Sequence, residues 1–166
     1  MKKSFLFLAA FIFVSCAFIA SVSAQSKLGK ICGNPNVKCS TGNATFETYE
    51  IPFALPRNAV IYESESFYAI ILKSVKQTPE VNCEDAISED ERLDIQAMFP
   101  NNKVFALKCS EAGNLYYTNV ANNVNFIAVY AGRTLAEAKK FLKTVQSKGT
   151  FKGVNIRKIQ AGFNGT

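Results

Sequence analysis

The chain has 166 residues and a formal net charge of +6, which leaves room for one domain and a short preceding segment. It has no histidine, no Gly-rich phosphate loop and no paired carboxylates at a catalytic spacing, so the sequence weighs against hydrolases and transferases. We therefore expect a protein that is not an enzyme and that uses no cofactor or metal.

Residues 1–24 have the pattern of a signal peptide. Lys2 and Lys3 precede an apolar stretch over residues 5–20, and Val22-Ser23-Ala24 forms a small-residue cleavage site. We predict a cut after Ala24 and a secreted or periplasmic mature protein without stable membrane insertion. The alternative is an uncleaved membrane anchor, because the apolar run approaches the length of a membrane span.

Residues 25–57 are rich in Asn, Ser, Thr, Gly and Pro, which predicts an N-terminal extension before a domain at residues 58–166. Cys32 and Cys39 are close enough in sequence to close a small loop that holds this extension.

Cys83 and Cys109 are the other two cysteines of the mature chain, and four cysteines allow three pairings. In a right-handed β-α-β unit the helix runs back antiparallel to its strands, so its start and the end of the second strand share one end of the domain. Cys83 lies just before the first predicted helix and Cys109 closes the next strand, so we predict a Cys83–Cys109 disulfide. Free buried thiols are the alternative. Metal binding is disfavoured, because the spacings are not C-x₂-C and histidine is absent.

Two strand–helix units of similar sequence organise the domain. The first has a β-branched and aromatic strand over residues 67–75 and a helix from Ser88, the start of a capping box, to Phe99. The second has a strand over residues 126–130 and a helix opened by the capping box of Thr134 and Glu137. The apolar stripe of this helix has five members: Leu135, Ala138, Phe141, Leu142 and Val145. We predict that the stripe packs on the sheet and that Phe141 and Leu142 are buried.

A further strand follows each unit, at residues 104–109 and from Val154. The resulting β-α-β-β-α-β order predicts an α+β, ferredoxin-like fold: an antiparallel sheet with two helices on one face and a disulfide-held N-terminal extension. Residues 115–120 also resemble a strand, which we expect to be an edge ribbon or bulged hairpin arm. The apolar phase changes after Ile156, which predicts a bulge near Lys158.

Charge is distributed unevenly along the mature chain. Residues 25–132 carry nine Lys/Arg and twelve Asp/Glu, a net charge of −3, whereas residues 133–166 carry eight and one, a net charge of +7. A basic C-terminal segment in an exported protein favours an anionic partner such as cell wall, lipid head groups or polysaccharide, and export argues against nucleic acid. A solvated, lysine-rich helix face is the alternative.

The two F-x-A-[IV] strands, each leading into a helix, resemble the SPOR domain, a family of bacterial peptidoglycan-binding modules. Residues 126–163 carry most of the resemblance, with Ala138 at the family's helix-alanine position; Ser74 matches a family serine on the first strand. The resemblance implies a four-stranded sheet whose open face grips glycan strands. The chain departs from the family where Ile71 replaces Gln, and where Lys73 and Tyr130 replace Gly.

Alternation along the strands predicts which residues line that open face. Ile70, Leu72, Ile127 and Val129 are expected to pack on the helices. The predicted ligand-binding residues on the opposite face are Ile71, Lys73, Phe126 and Tyr130, whose rings suit sugar stacking. The alternative is that residues 115–120 or the N-terminal extension cover this face.

We therefore predict a non-catalytic module that binds peptidoglycan or another cell-envelope polysaccharide, with envelope proteins as further candidate partners. A secreted protein–protein interaction or inhibitor domain, acting through a sheet edge or the disulfide loop, is the alternative.

Overall fold

The computed structural model describes residues 28–39, 46–55, 61–78, 86–108, 115–121 and 123–164. Within these ranges the fold is α+β, with two helices and antiparallel sheets, as predicted. The signal peptide, Cys83 and Cys109 lie outside the described residues. In chain order the elements are β1 (Ile61–Glu63), β2 (Phe67–Lys76), α1 (Glu89–Met98), β3 (Val104–Leu107), β4 (Leu115–Tyr117), β5 (Val124–Gly132), α2 (Leu135–Ser147), β6 (Asn155–Ile159) and β7 (Ala161–Asn164).

Both helices begin at the predicted caps. The Thr134 hydroxyl accepts from the backbone N–H of Glu137 at 3.2 Å, and the Glu137 carboxylate accepts from the backbone N–H of Thr134 at 2.9 Å. This confirms the capping box of α2. At α1 only half of the box forms, because Ser88 accepts from the backbone N–H of Glu91 while the Glu91 carboxylate binds Lys73.

The main sheet has four strands in the order β3-β5-β2-β6, and every neighbouring pair is antiparallel. One face packs against α1 and α2. Ile70, Leu72, Ile127 and Val129 all lie in this core, which confirms the alternation predicted for that face.

On α2, Ala138 and Val145 are the buried residues, while Phe141 and Leu142 flank them and are half-buried. They pack against the core that contains Ile127 and Val129, as predicted, but they are only partly buried. The Phe141 ring also contacts Phe99, the C-cap residue of α1, with a distance of 5.6 Å between the ring centroids.

Residues 115–117 form a strand at a sheet edge, as predicted, but the sheet is a second one. β4 pairs with β7, and β7 pairs with β1, in a separate three-stranded sheet. Because β4 stays out of the main sheet, it does not reverse the direction of β5. No bulge forms at Lys158, because β6 pairs with β2 in unbroken register through Ile159. The apolar phase changes because Ile156 packs on the helix side of the sheet, whereas Ile159 packs in the core on the opposite face.

The other face of the main sheet is covered. Ile31, Ile51, Phe53 and Leu55 of the N-terminal extension are buried against it. The Tyr117 ring of β4 completes the cover, with its centroid 5.4 Å from that of Phe105 and 5.6 Å from that of Phe126. The expected open face is therefore largely closed, by both segments that were the alternatives: the N-terminal extension and residues 115–120. The predicted Cys32–Cys39 disulfide is present in the extension, with 5.7 Å between the Cα atoms.

Candidate functional site

The four predicted ligand-binding residues do not form one accessible surface. Ile71 and Phe126 lie on the predicted face, but only 8% of Ile71 and 1% of Phe126 are exposed. Tyr130 is half-buried on the same face. A Phe126 ring this deeply buried has no free face on which a sugar could stack.

Lys73 lies on the helix side of the sheet, not on the predicted face. The pairing of β2 with β5 shifts register between Ile71 and Lys73, so a bulge at Leu72 changes the alternation. The Lys73 ammonium then donates to both carboxylate oxygens of Glu91 on α1, at 2.8 and 2.9 Å. Its placement on the open face was therefore wrong, and its charge is matched within the fold.

Tyr130 is enclosed by the N-terminal extension. Its ring centroid lies 5.9 Å from that of Phe67, and the backbone of Gly33 passes so close that a Cβ there would collide with the ring. Burial raises the pKa of the Tyr130 phenol. A ligand could stack on this ring only if the disulfide loop first moved away.

One part of the predicted face is left uncovered and forms a pocket of about 330 Å³ at the end of the main sheet. Its floor is apolar, and Ile71 and Phe126 contribute to it. Ser74, Asn119, Asn155 and Arg157 supply its polar rim, and Val120, Ala121 and Val124 complete the lining.

Arg157 and Asn155 were not predicted as site residues, although alternation along a strand starting at Asn155 could have identified them. Ile156 packs in the helix-side core, so Asn155 and Arg157 point to the pocket side and Lys158 to the helix side. The phase change predicted in this strand left its faces unassigned, so these two residues were missed.

A second candidate surface is the outer side of α2, which we call the lysine face: Lys139, Lys140 and Lys143. These residues lie opposite the buried Ala138 and Val145, and all three are exposed. Among the described residues, ion pairs join Lys73 to Glu91, Arg92 to Glu89 and Arg133 to Glu65, so the lysine face has no acidic partner there.

The remaining cationic side chains of residues 133–166 are also exposed. Lys148 and Lys152 follow α2, and Lys158 lies on the helix side of β6. In contrast, α1 carries Glu89, Asp90, Glu91 and Asp94, so the helix layer has one acidic and one basic half.

Comparisons with protein-family models, curated proteins and solved structures give no match. In the part of the chain that the structure describes, no group of three or more Cys, Asp or Glu residues is placed to hold a metal ion. The helices in that part are also too short or too polar to cross a membrane.

Proposed function

We propose that the protein is an exported, non-catalytic binding domain that associates with an anionic cell-envelope polysaccharide, with peptidoglycan as the first candidate. The observation that carries this proposal is the lysine face of α2, whose three ammonium groups are exposed and have no acidic partner among the described residues. Its charge would attract carboxylate- or phosphate-bearing polymers, and salt would weaken the attraction.

We further propose that the four-stranded sheet and its two helices are ferredoxin-like, and that the domain is a divergent relative of SPOR domains. Support comes from the strand order β3-β5-β2-β6 and from the sequence resemblance over residues 126–163. The binding mode proposed here differs from that of an open sheet face, because the extension and β4 fill that face.

Cosedimentation with purified peptidoglycan sacculi at low salt tests the function. Replacing Lys139, Lys140 and Lys143 by Gln should weaken binding. Exposed charge pairs contribute about 0.2–1 kcal/mol each, so the loss should be roughly 3- to 100-fold.

In the matched control, Gln replaces Lys30, Lys38 and Lys76. These lysines are exposed and lie outside residues 133–166, so the control removes the same amount of charge from another part of the surface. We expect this control to keep most of the wild-type binding. Equal losses in the two triple variants would mean that net charge alone governs binding. No binding by the wild-type protein would refute the proposal.

A second candidate function is protein–protein interaction through the disulfide loop. Val37, 62% exposed, lies within the loop that Cys32 and Cys39 close. A cross-linked loop loses less conformational freedom on binding, so it can present the exposed Val37 side chain to a partner's pocket at a lower entropic cost. Capture experiments from envelope extracts with the wild-type protein and Val37→Asp would test it, because a partner bound through this loop should be lost in the variant.

A further inference from the structure

The pocket beside β6 is held in shape by hydrogen bonds from its surroundings. The segment after β4 is tied to the β6–β7 junction by Thr118 N–H to the Gln160 carbonyl at 2.9 Å, and by Gln160 N–H to the Thr118 hydroxyl at 3.0 Å. Asn119 adopts a left-handed backbone with φ of 57°, and its side-chain amide donates to the Lys158 carbonyl at 3.1 Å. The wall of the pocket is thus formed before any ligand arrives.

Arg157 provides the positive charge at the pocket rim. Its Nε donates to the Asn155 side-chain oxygen at 3.0 Å, which orients the guanidinium. Its two Nη groups have no hydrogen-bond acceptor or acidic partner within the described ranges, and neither does the Ser74 hydroxyl. A planar guanidinium with both Nη groups available is suited to two parallel hydrogen bonds to a carboxylate.

The apolar floor of the pocket indicates what kind of group the ligand carries besides its carboxylate. Ile71, Val120 and Val124 are aliphatic, and the Phe126 ring is almost completely buried. An aliphatic floor without an exposed ring favours a branched or straight alkyl group over a sugar ring. At about 330 Å³ the pocket is at the small end of the range for ligand sites.

We propose that this pocket binds a small carboxylic acid with an aliphatic body. Arg157 would receive the carboxylate, Asn155 would hold Arg157 in place, and the floor would bury the alkyl group. The site lies on the sheet side facing away from α2, so it does not depend on the polysaccharide proposal or on the lysine face.

Titration of the ¹⁵N-labelled protein with N-acetyl-leucine, followed by NMR, tests the site. N-acetyl-leucinamide is the matched probe, because it keeps the aliphatic body but lacks the charge. We expect N-acetyl-leucine to shift the signals of Val120, Ala121 and the Arg157 Nε–H. The amide should bind at least about tenfold more weakly, since hydrogen bonds to a charged partner are the stronger kind.

Arg157→Gln should remove the binding of N-acetyl-leucine. Lys158→Gln is the charge-matched control, because it removes one exposed cation from the next position, on the other side of the strand. Lys158→Gln should bind N-acetyl-leucine like the wild-type protein. The triple lysine-face variant should also bind N-acetyl-leucine normally, even if it and the wild-type protein do not bind sacculi.

Three results would overturn the proposal. Equal binding of N-acetyl-leucine and its amide would mean that Arg157 does not recognise the carboxylate. Shifts only outside the pocket would place the ligand elsewhere. Binding of N-acetylmuramic acid without binding of N-acetyl-leucine would show that the body recognised is a sugar rather than an alkyl group.

Discussion

Phe53→Ala tests whether the N-terminal extension is an integral part of the fold. The Phe53 side chain is 0% exposed, and its ring centroid lies 5.5 Å from that of Phe46. It packs in the same core as Phe67, Phe105 and Phe126 of the main sheet. An extension that only decorated the domain would not place a fully buried ring in this core.

The expected loss of stability follows from this burial. Removing a fully buried phenylalanine ring forfeits its transfer free energy and leaves a cavity, which together cost about 3–5 kcal/mol. A typical domain has only about 5–15 kcal/mol of stability, so the variant should melt about 10 °C or more below the wild type.

Urea denaturation of the mature protein, followed by circular dichroism, measures this loss. Val37→Ala is the control from the same extension, because that side chain is largely exposed and its removal should change stability by less than about 0.5 kcal/mol. If the free energy of unfolding of Phe53→Ala also stayed within about 0.5 kcal/mol of that of the wild type, the extension would not cover the sheet. Glycan binding on an open sheet face would then again be a candidate mode.

Three further predictions concern the helices and the second disulfide. The backbone N–H groups of Thr134 and Arg133 hold the pKa of the Glu137 carboxyl below its ordinary value, so its contribution to stability is complete at neutral pH and is lost as the pH falls through the lowered folded pKa. The melting temperatures of the wild type and Glu137→Gln should therefore differ at pH 7 and converge as the pH falls below the lowered folded pKa, and a gap independent of pH would contradict this cause. Phe141→Ala should cost about 2 kcal/mol because the ring is only half-buried, whereas the exposed Lys140→Ala should cost almost nothing; equal denaturation midpoints would mean that the face of α2 is misassigned. Non-reducing peptide mapping should find Cys83 joined to Cys109, a cross-link that closes a loop of roughly 25 residues and contributes about 3 kcal/mol, and a peptide joining Cys83 to Cys32 would contradict it.

Local patterns in the sequence were enough to predict most of the elements. The cap residues Ser88 and Thr134 begin α1 and α2, because an N-cap is a local hydrogen bond between residues three apart. Strict alternation likewise assigned Ile70 and Ile127 to the helix-side core.

The remaining features depend on long-range pairing, which one sequence does not display. The bulge at Leu72 exists only because β2 pairs with β5, so the position of Lys73 on the helix side could not be predicted from β2 alone. Ile51, Phe53 and Leu55 alternate with Pro52 and Ala54, which is a strand period, but the pattern shows only that one side is buried. Nothing local indicated that this side covers the main sheet.

The pocket that Arg157 lines could not be predicted from the sequence for a similar reason. Its pocket is formed by residues from β2, β5, β6 and the segment after β4, which come together only in the folded chain. The change of buried face within β6, from Ile156 to Ile159, also looked like a bulge, because both features shift the apolar phase of a strand.

Under the proposed function, this protein recognises the negative charge of an envelope polysaccharide. Retention of the wild-type protein should be measured on native peptidoglycan sacculi and on sacculi whose carboxylates have been blocked as neutral amides. The lysine face has cations without acidic partners among the described residues, so we expect strong retention on native sacculi at low salt and little on the blocked material. Equal retention on the two materials would contradict the claim.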